Sequence, residues 1–362
     1  MEGLPDFRAP LPAALVIIDS SKTRGDAWLH MLPVGNRPML LRVLDSLADA
    51  CVDHVTLAVE PVLVPRVRSL LDADCQWPFE LSYLESTGGA GLLGALRLAG
   101  ERFADRPLLV HWGCGLFKAP LRSQLRDAPS GPFDALLLVD VRRTESSVTE
   151  LAAERLATLA GHPRSESRGS LAGVALLGAA ALEAAQKVDA SRDSDAELLA
   201  VVEHMVKLGG RLSTRPAAKC WRFTGAVDSA LEANRFLLED LAIEPSQVEA
   251  PVFESGTMVQ GPAQIDPSVT VERSTVRGPV VIGPRARLCD AYVGPYTSIG
   301  ADVRVEGAEI ENSIVLEDTQ ICHLGSRMDA SVVGPGASIC RDFRLPAALR
   351  LQVGEGALVS LS

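Results

Sequence analysis

A phosphate-binding loop works through its backbone: successive glycines let several N–H groups close on phosphate oxygens, and side chains obstruct that approach. The chain has a place for such a loop. Asp19-Ser20-Ser21-Lys22-Thr23-Arg24-Gly25 follows directly on the apolar run Ala13 to Ile18. Lys22 and Arg24 would supply positive charge, whereas Asp19 would meet an incoming phosphate as a like charge. A second glycine-rich loop is Thr87-Gly88-Gly89-Ala90-Gly91. Cys114, between Gly113 and Gly115, would be reactive only with a lowered pKa, and no neighbouring basic side chain is legible; a small inert filler is the simpler reading. His323 invites the role of general base, as in acyl transfer, although a surface histidine explains it more simply.

The elements that must hold these residues alternate. Apolar runs at Leu15 to Ile18, His54 to Val59, Leu81 to Leu84, Leu108 to His111 and Leu136 to Val139 read as buried strands. Amphipathic stretches at Leu40 to Ala50 and Leu92 to Phe103 read as helices between them. Such alternation predicts a doubly wound, mostly parallel α/β sheet whose ligands sit at the carboxyl ends of the strands. Ser147 to Ala160 scans as a helix, Leu171 to Gly178 as an apolar run, and Ala180 to Val188, Ala196 to Leu208 and Ser229 to Leu241 as further helices.

Past a linker at Glu244-Pro245-Ser246 the period changes. Val259, Ile265 and Val271 are six apart, as are Val276, Ile282 and Leu288, and Val293, Ile299 and Val305, with steps of five between triplets. An aliphatic residue at every sixth position predicts a left-handed parallel β-helix of hexapeptide repeats. The expected division is therefore an α/β domain over residues 1–245 and a β-helix over 251–362.

The 362 residues, 47% of them apolar, suffice for two cores. A net charge of −11 with few aromatics argues against a nucleic-acid partner. No apolar stretch reaches membrane-spanning length, and Met1 to Asp6 lacks a basic region before an apolar core, so a cytoplasmic location without a membrane partner is expected. The seven cysteines are scattered and never spaced Cys-x-x-Cys, which predicts reduced, mostly buried thiols rather than a zinc site or disulfide framework.

Several stretches, in order, carry a family resemblance. Leu32-Pro33-Val34-Gly35-Asn36-Arg37-Pro38-Met39-Leu40, the Thr87 to Gly91 loop, Trp221 with Gly225, Leu231 to Leu238, Gly294 to Gly300 and Leu349 to Glu355 together resemble sugar-1-phosphate nucleotidyltransferases, in particular the long form of glucose-1-phosphate thymidylyltransferase. The resemblance covers nearly the whole chain. It implies in-line attack of a sugar phosphate on the α-phosphorus of a nucleoside triphosphate, with Mg²⁺, an arginine and a lysine aligning the phosphates. Thr23, Gly88, Gly89 and Ala90 would then be the nucleotide contacts.

The same resemblance locates losses. Arg24 matches the family arginine, but Asp19, Ser20 and Lys22 fall on loop glycines. The family lysine falls on Leu29, between Trp28 and His30. One metal-binding aspartate falls on Cys114 and the other on Phe223. A neutral thiol and a phenyl ring are poor ligands for a cation that demands oxygen donors. Gly161-His162-Pro163 stands where a Glu-Lys-Pro motif is expected, and only Glu85 and Ser86 stand near the expected base-reading glutamine. Lys22 could replace the lysine from the other side of the loop, although Lys22 and His30 read more simply as solvated loop residues.

These losses favour a catalytically degenerate relative that binds a nucleotide or sugar phosphate, or regulates or assembles with an active homologue. No cofactor is expected on that reading, and the β-helix would serve homo- or hetero-oligomerisation. The alternative is an active sugar or cyclitol nucleotidylyltransferase with Mg²⁺ and a rearranged site. A hexapeptide-type acyltransferase using His323 stands third.

Overall fold

The computed structural model describes residues 13–18, 31–72, 77–85, 91–103, 106–112, 115–126, 133–140, 170–191, 194–222, 227–241, 252–253, 256–341 and 343. The chain divides into two compact units, Met1–Leu241 and Ala242–Ser362.

The first unit runs β1 (Ala13–Ile18), β2 (Pro33–Val34), β3 (Arg37–Pro38), α1 (Met39–Asp49), β4 (His54–Val59), α2 (Val64–Asp72), β5 (Glu80–Glu85) and α3 (Gly91–Arg102). It continues with β6 (Leu108–Trp112), β7 (Gly115–Phe117), α4 (Leu121–Arg126), β8 (Ala135–Asp140), β9 (Ser170–Leu177), α5 (Ala179–Ala185), α6 (Ser194–Lys207), β10 (Leu212–Pro216), β11 (Cys220–Arg222) and α7 (Val227–Leu238). Among the described residues, seven strands form one sheet in the order β10-β8-β9-β6-β1-β4-β5. All its pairings are parallel except those of β9, which runs antiparallel to both β6 and β8.

The side-chain period of two explains why β1 is apolar throughout. Ala13, Leu15 and Ile17 enter a core with Leu92, Leu93 and Leu96 of α3 and Leu198 and Val202 of α6. Ala14, Val16 and Ile18 enter the opposite core with Leu40, Leu44 and Leu47 of α1 and Val67 of α2. A strand covered on both faces must be apolar at every position.

Two features depart from the sequence reading. β9 lies antiparallel inside the expected parallel succession, and its pairing with β8 slips between Leu137 and Val139. Gly173, at φ +84°, takes up the slip. A methyl group there would come 2.6 Å from the Trp112 carbonyl oxygen, so the bulge requires glycine. The edge strand β10 and helix α2 were also not foreseen. β10 reads Leu-Ser-Thr-Arg-Pro and is nowhere buried, and α2 buries only Val67 and Leu71. The helix expected at Ser147 to Ala160 lies outside the described residues.

In the second unit, strands pass in rotation through three parallel sheets, of six, five and five strands among the described residues. Met258 pairs with Thr275, Ala263 with Val280 and Thr270 with Arg287, each partner seventeen positions on, which is the sum of steps of six, six and five. This arrangement is compatible with a β-helix. Val276, Ile282, Leu288, Val293, Ile299 and Val305 are buried in one core. Val259, on the first rung, is instead 37% exposed. Corner residues adopt positive φ and stack in salt-bridged pairs, Arg273 on Asp290 and Arg285 on Asp302.

The expectation of mostly buried thiols needs correction. Among the described cysteines only Cys220 is buried; Cys51, Cys289 and Cys322 are half-buried and Cys340 is exposed. The last three occupy outward positions of the three-sheet unit, because each follows an inward aliphatic residue on its strand. No helix among the described residues is long and apolar enough to cross a membrane.

Candidate functional site

The carboxyl ends of the central strands are where a ligand would meet this sheet. The sequence-predicted residues Asp19, Ser20, Lys22, Thr23, Arg24, Leu29, Gly88, Gly89, Ala90, Cys114 and Phe223 all lie outside the described residues. Their chain neighbours do not. Gly115 of β7 is the register partner of Arg222 of β11, so the residues following Cys114 and preceding Phe223 are brought together by a two-stranded antiparallel ribbon.

Arg222 turns from this ribbon into the protein. Its Nη1 and Nη2 donate to Oδ2 and Oδ1 of Asp195 at 2.9 and 2.8 Å. The indole Nε1 of Trp112 donates to Oδ1 at 2.8 Å, and the guanidinium lies 5.4 Å from the Trp112 ring centroid. Nη1 also reaches the Leu171 carbonyl at 3.3 Å. Asp195 is 0% exposed. One carboxylate therefore ties the ends of β6 and β11 to the start of α6, with Arg222 adding the start of β9, and a bidentate pair of this kind is both directional and strong.

Glu197, two residues on, does similar work for α3. It is 1% exposed, with Oε2 accepting from the Leu93 N–H and Oε1 from the Ser191 N–H, both at 2.9 Å. The first turn of α3, directly after the Gly88 loop, thus finds its anion within the protein. Gly91 takes φ +48°, and a methyl group there would press on Glu197 Oε2 at 3.1 Å.

His111 precedes Trp112 on β6 and is 1% exposed. Burial pushes its pKa down to about 3; the Arg222 charge lowers it further, while the Gly115 backbone opposes the shift. The imidazole is neutral at ordinary pH and packs edge-on against Phe117. Its Nε2 has no hydrogen-bond partner among the described residues.

The Leu32 to Leu40 stretch has a structural account. β2 and β3 form a hairpin whose Gly35 N–H donates to the fully buried Asn234 Oδ1 of α7 at 2.8 Å. Arg42 of α1 donates to the Val34 and Gly35 carbonyls, and burial brings its pKa down to about 10. Two distant motifs, Leu32 to Leu40 and Leu231 to Leu238, are therefore two halves of one clamp.

Asp195, Glu197, Arg222 and His111 escaped the sequence reading. Their signal was faint: two acids two residues apart at the start of an otherwise apolar helix. Both oxygens of each carboxylate are engaged by protein donors. Among the described residues, no group of three His, Cys, Asp or Glu is placed to hold a metal ion.

A mixed α/β sheet of this kind fits the nucleotidyltransferase fold. A solved structure described as a putative glucose-1-phosphate thymidylyltransferase from Bacillus anthracis, in complex with a sucrose, superposes with a TM-score of 0.51 over 64% of this chain and 96% of that one, at 16% identity. The resemblance to sugar-1-phosphate nucleotidyltransferases holds along nearly the whole sequence. Glucose-1-phosphate thymidylyltransferase of Streptomyces antibioticus is 28% identical over 358 residues, 96% of this chain and 99% of that protein. The low-salt glycan biosynthesis nucleotidyltransferase Agl11 of Haloferax volcanii is 28% identical over 339 residues, 92% of this chain and 94% of that protein. No family model matches the chain.

Proposed function

We propose that this chain is a catalytically degenerate relative of glucose-1-phosphate thymidylyltransferase that binds a nucleotide or sugar phosphate and acts as a regulatory or assembly subunit. The observation that supports it is the fate of the carboxylates at the strand ends: Asp195 is held by Arg222 and Trp112, and Glu197 by two backbone N–H groups. The positions where the resemblance expects metal carboxylates and a lysine read Cys114, Phe223 and Leu29. These side chains do not fit Mg²⁺, a hard cation that takes oxygen ligands. Losing one such group typically lowers the rate by about 10² or more.

The protein would work in the cytoplasm, with residues 251–362 forming a left-handed β-helix. Its flat sheets would serve homo-oligomerisation, or pairing with an active homologue. Arg24 and Lys22 remain as candidate phosphate contacts, with Thr23, Gly88, Gly89 and Ala90 as candidate nucleotide contacts.

The test is pyrophosphate release from the purified protein given nucleoside triphosphates, Mg²⁺ and a panel of sugar 1-phosphates. No turnover is expected, together with altered kinetics of an active homologue that co-purifies with this chain. Turnover abolished by Arg24→Ala would overturn the proposal in favour of a working enzyme.

A further inference from the structure

The outward positions of the six-stranded sheet carry a ladder, in register, of Glu272, Cys289, Glu306, Cys322 and Cys340. Its final step places two thiols on adjacent parallel strands. Ile321 is fully buried and Cys322 follows it, pointing outward; Cys340 follows Ile339, the exposed register partner of Ile321, and so takes the same outward position. Residues paired in parallel register lean to the same face, with strands about 4.8 Å apart, inside the window of about 4.4–6.8 Å between Cα atoms that a disulfide bridges. The thiols differ in access, Cys322 being half-buried and Cys340 exposed.

We propose that Cys322 and Cys340 are an oxidation site, closing to a disulfide that staples the last described rung, Ser338–Cys340, to the rung before it. The oxidant is a small-molecule disulfide. The Cys340 thiolate attacks one of its sulfurs, forming a mixed disulfide and expelling one thiolate. Cys322, once deprotonated, attacks the Cys340 sulfur, forming the internal bond and expelling the second thiolate. Two protein thiols are oxidised, one small disulfide is reduced, and the two protons lost by the protein end on the two small thiols formed. Burial, reinforced by the neighbouring Cys340, pushes the Cys322 pKa up to about 11, so attack on the external disulfide falls to the exposed Cys340.

The last described rung is where such a bond has an effect. Ser338, Ile339 and Cys340 are all exposed, and their strand has one partner, Gln320–Cys322, among the described residues. An edge strand of this kind opens locally more readily than the interior. Cys289 serves as an internal control. Its register partners are Glu272 and Glu306, and Arg273 Nη2 lies 3.0 Å from its sulfur.

The full chain would be equilibrated with oxidised glutathione, alkylated and digested with trypsin. Cleavage after Arg304, Arg327 and Arg341 puts Cys322 and Cys340 on separate peptides, 305–327 and 328–341. The expected result is one linked pair of these peptides, parted by dithiothreitol, with about tenfold slower amide exchange at residues 338–340 in the oxidised protein. Cys340→Ser should abolish both effects, and Cys289→Ser neither. A stable glutathione adduct on Cys340 with Cys322 still alkylatable would overturn the proposal. So would a link between either cysteine and Cys289.

Discussion

Replacing Asp195 by alanine tests the centre of the strand-end network. The substitution removes the carboxylate that holds both guanidinium nitrogens of Arg222 and the indole N–H of Trp112. Arg222 is only 12% exposed, so its charge would be stranded where water cannot solvate it fully. Breaking a buried pair from one side destabilises by about 3–5 kcal/mol. The indole N–H left unsatisfied would alone account for about 1–3 kcal/mol, a contribution inside that total because one carboxylate serves all three donors. At about 2–4 °C per kcal/mol for a unit of this size, the midpoint should fall by roughly 6–20 °C. Urea titration followed by tryptophan fluorescence would measure the loss of free energy, and a thermal melt the fall in midpoint. The double variant Asp195→Leu with Arg222→Met should recover most of the loss, since it removes the charge as well as its partner. A single-variant loss below about 1 kcal/mol, or a double variant no better than the single, would refute the reasoning.

Lowering the pH should reach the same region through His111. Its folded pKa, about 3, lies below the value of about 6.5 for an unfolded histidine, so the unfolded state takes up the proton first and stability falls as pH drops from about 6.5 towards 3. Between pH 7 and pH 5 the loss should be about 2 kcal/mol, and His111→Leu should flatten that part of the urea-midpoint profile. Glu197→Gln puts an amide N–H₂ against a backbone N–H that now finds a carboxylate oxygen, and should destabilise by about 1–3 kcal/mol, with faster amide exchange at Leu93. Asn234→Ala should cost about 1–3 kcal/mol by leaving the Gly35 N–H without its acceptor, read as loss of exchange protection at Gly35.

The apolar runs announced β1, β4, β6 and β8 almost residue for residue because strands buried on both faces tolerate little else, and Leu81 to Leu84 announced the edge strand β5 as well. β10 was invisible for the opposite reason: an edge strand needs few apolar residues, and Ser213, Thr214 and Arg215 carry no alternation. The reversal of β9 depends on pairings with β6 and β8, which no local pattern records. Much the same holds for the buried acids. Asp195 and Glu197 look like ordinary first-turn charges on a helix, and only their partners make them interior residues. Trp112 lies 83 positions from Asp195 and Leu93 lies 104 from Glu197. The motif stretches Leu32 to Leu40 and Leu231 to Leu238 were legible, but their meeting at Gly35 and Asn234 was not. Their survival is thereby accounted for by folding, independently of catalysis.

The seventeen-residue step that relates the rungs from Met258 to Arg304 makes this part of the second unit modular in length. Because each rung pairs only with the rungs beside it, its stability is a sum of rung terms and neighbour terms. Excising residues 275–291 would carry Tyr292 to the place of Thr275, Thr297 to that of Val280 and Arg304 to that of Arg287. Val259 would then meet Val293, Ile265 would meet Ile299 and Val271 would meet Val305, an aliphatic residue on an aliphatic residue at each inward position. The unit can therefore be shortened by one rung in a single genetic event without re-aiming any inward side chain, so its height is free to drift while its cross-section stays constant.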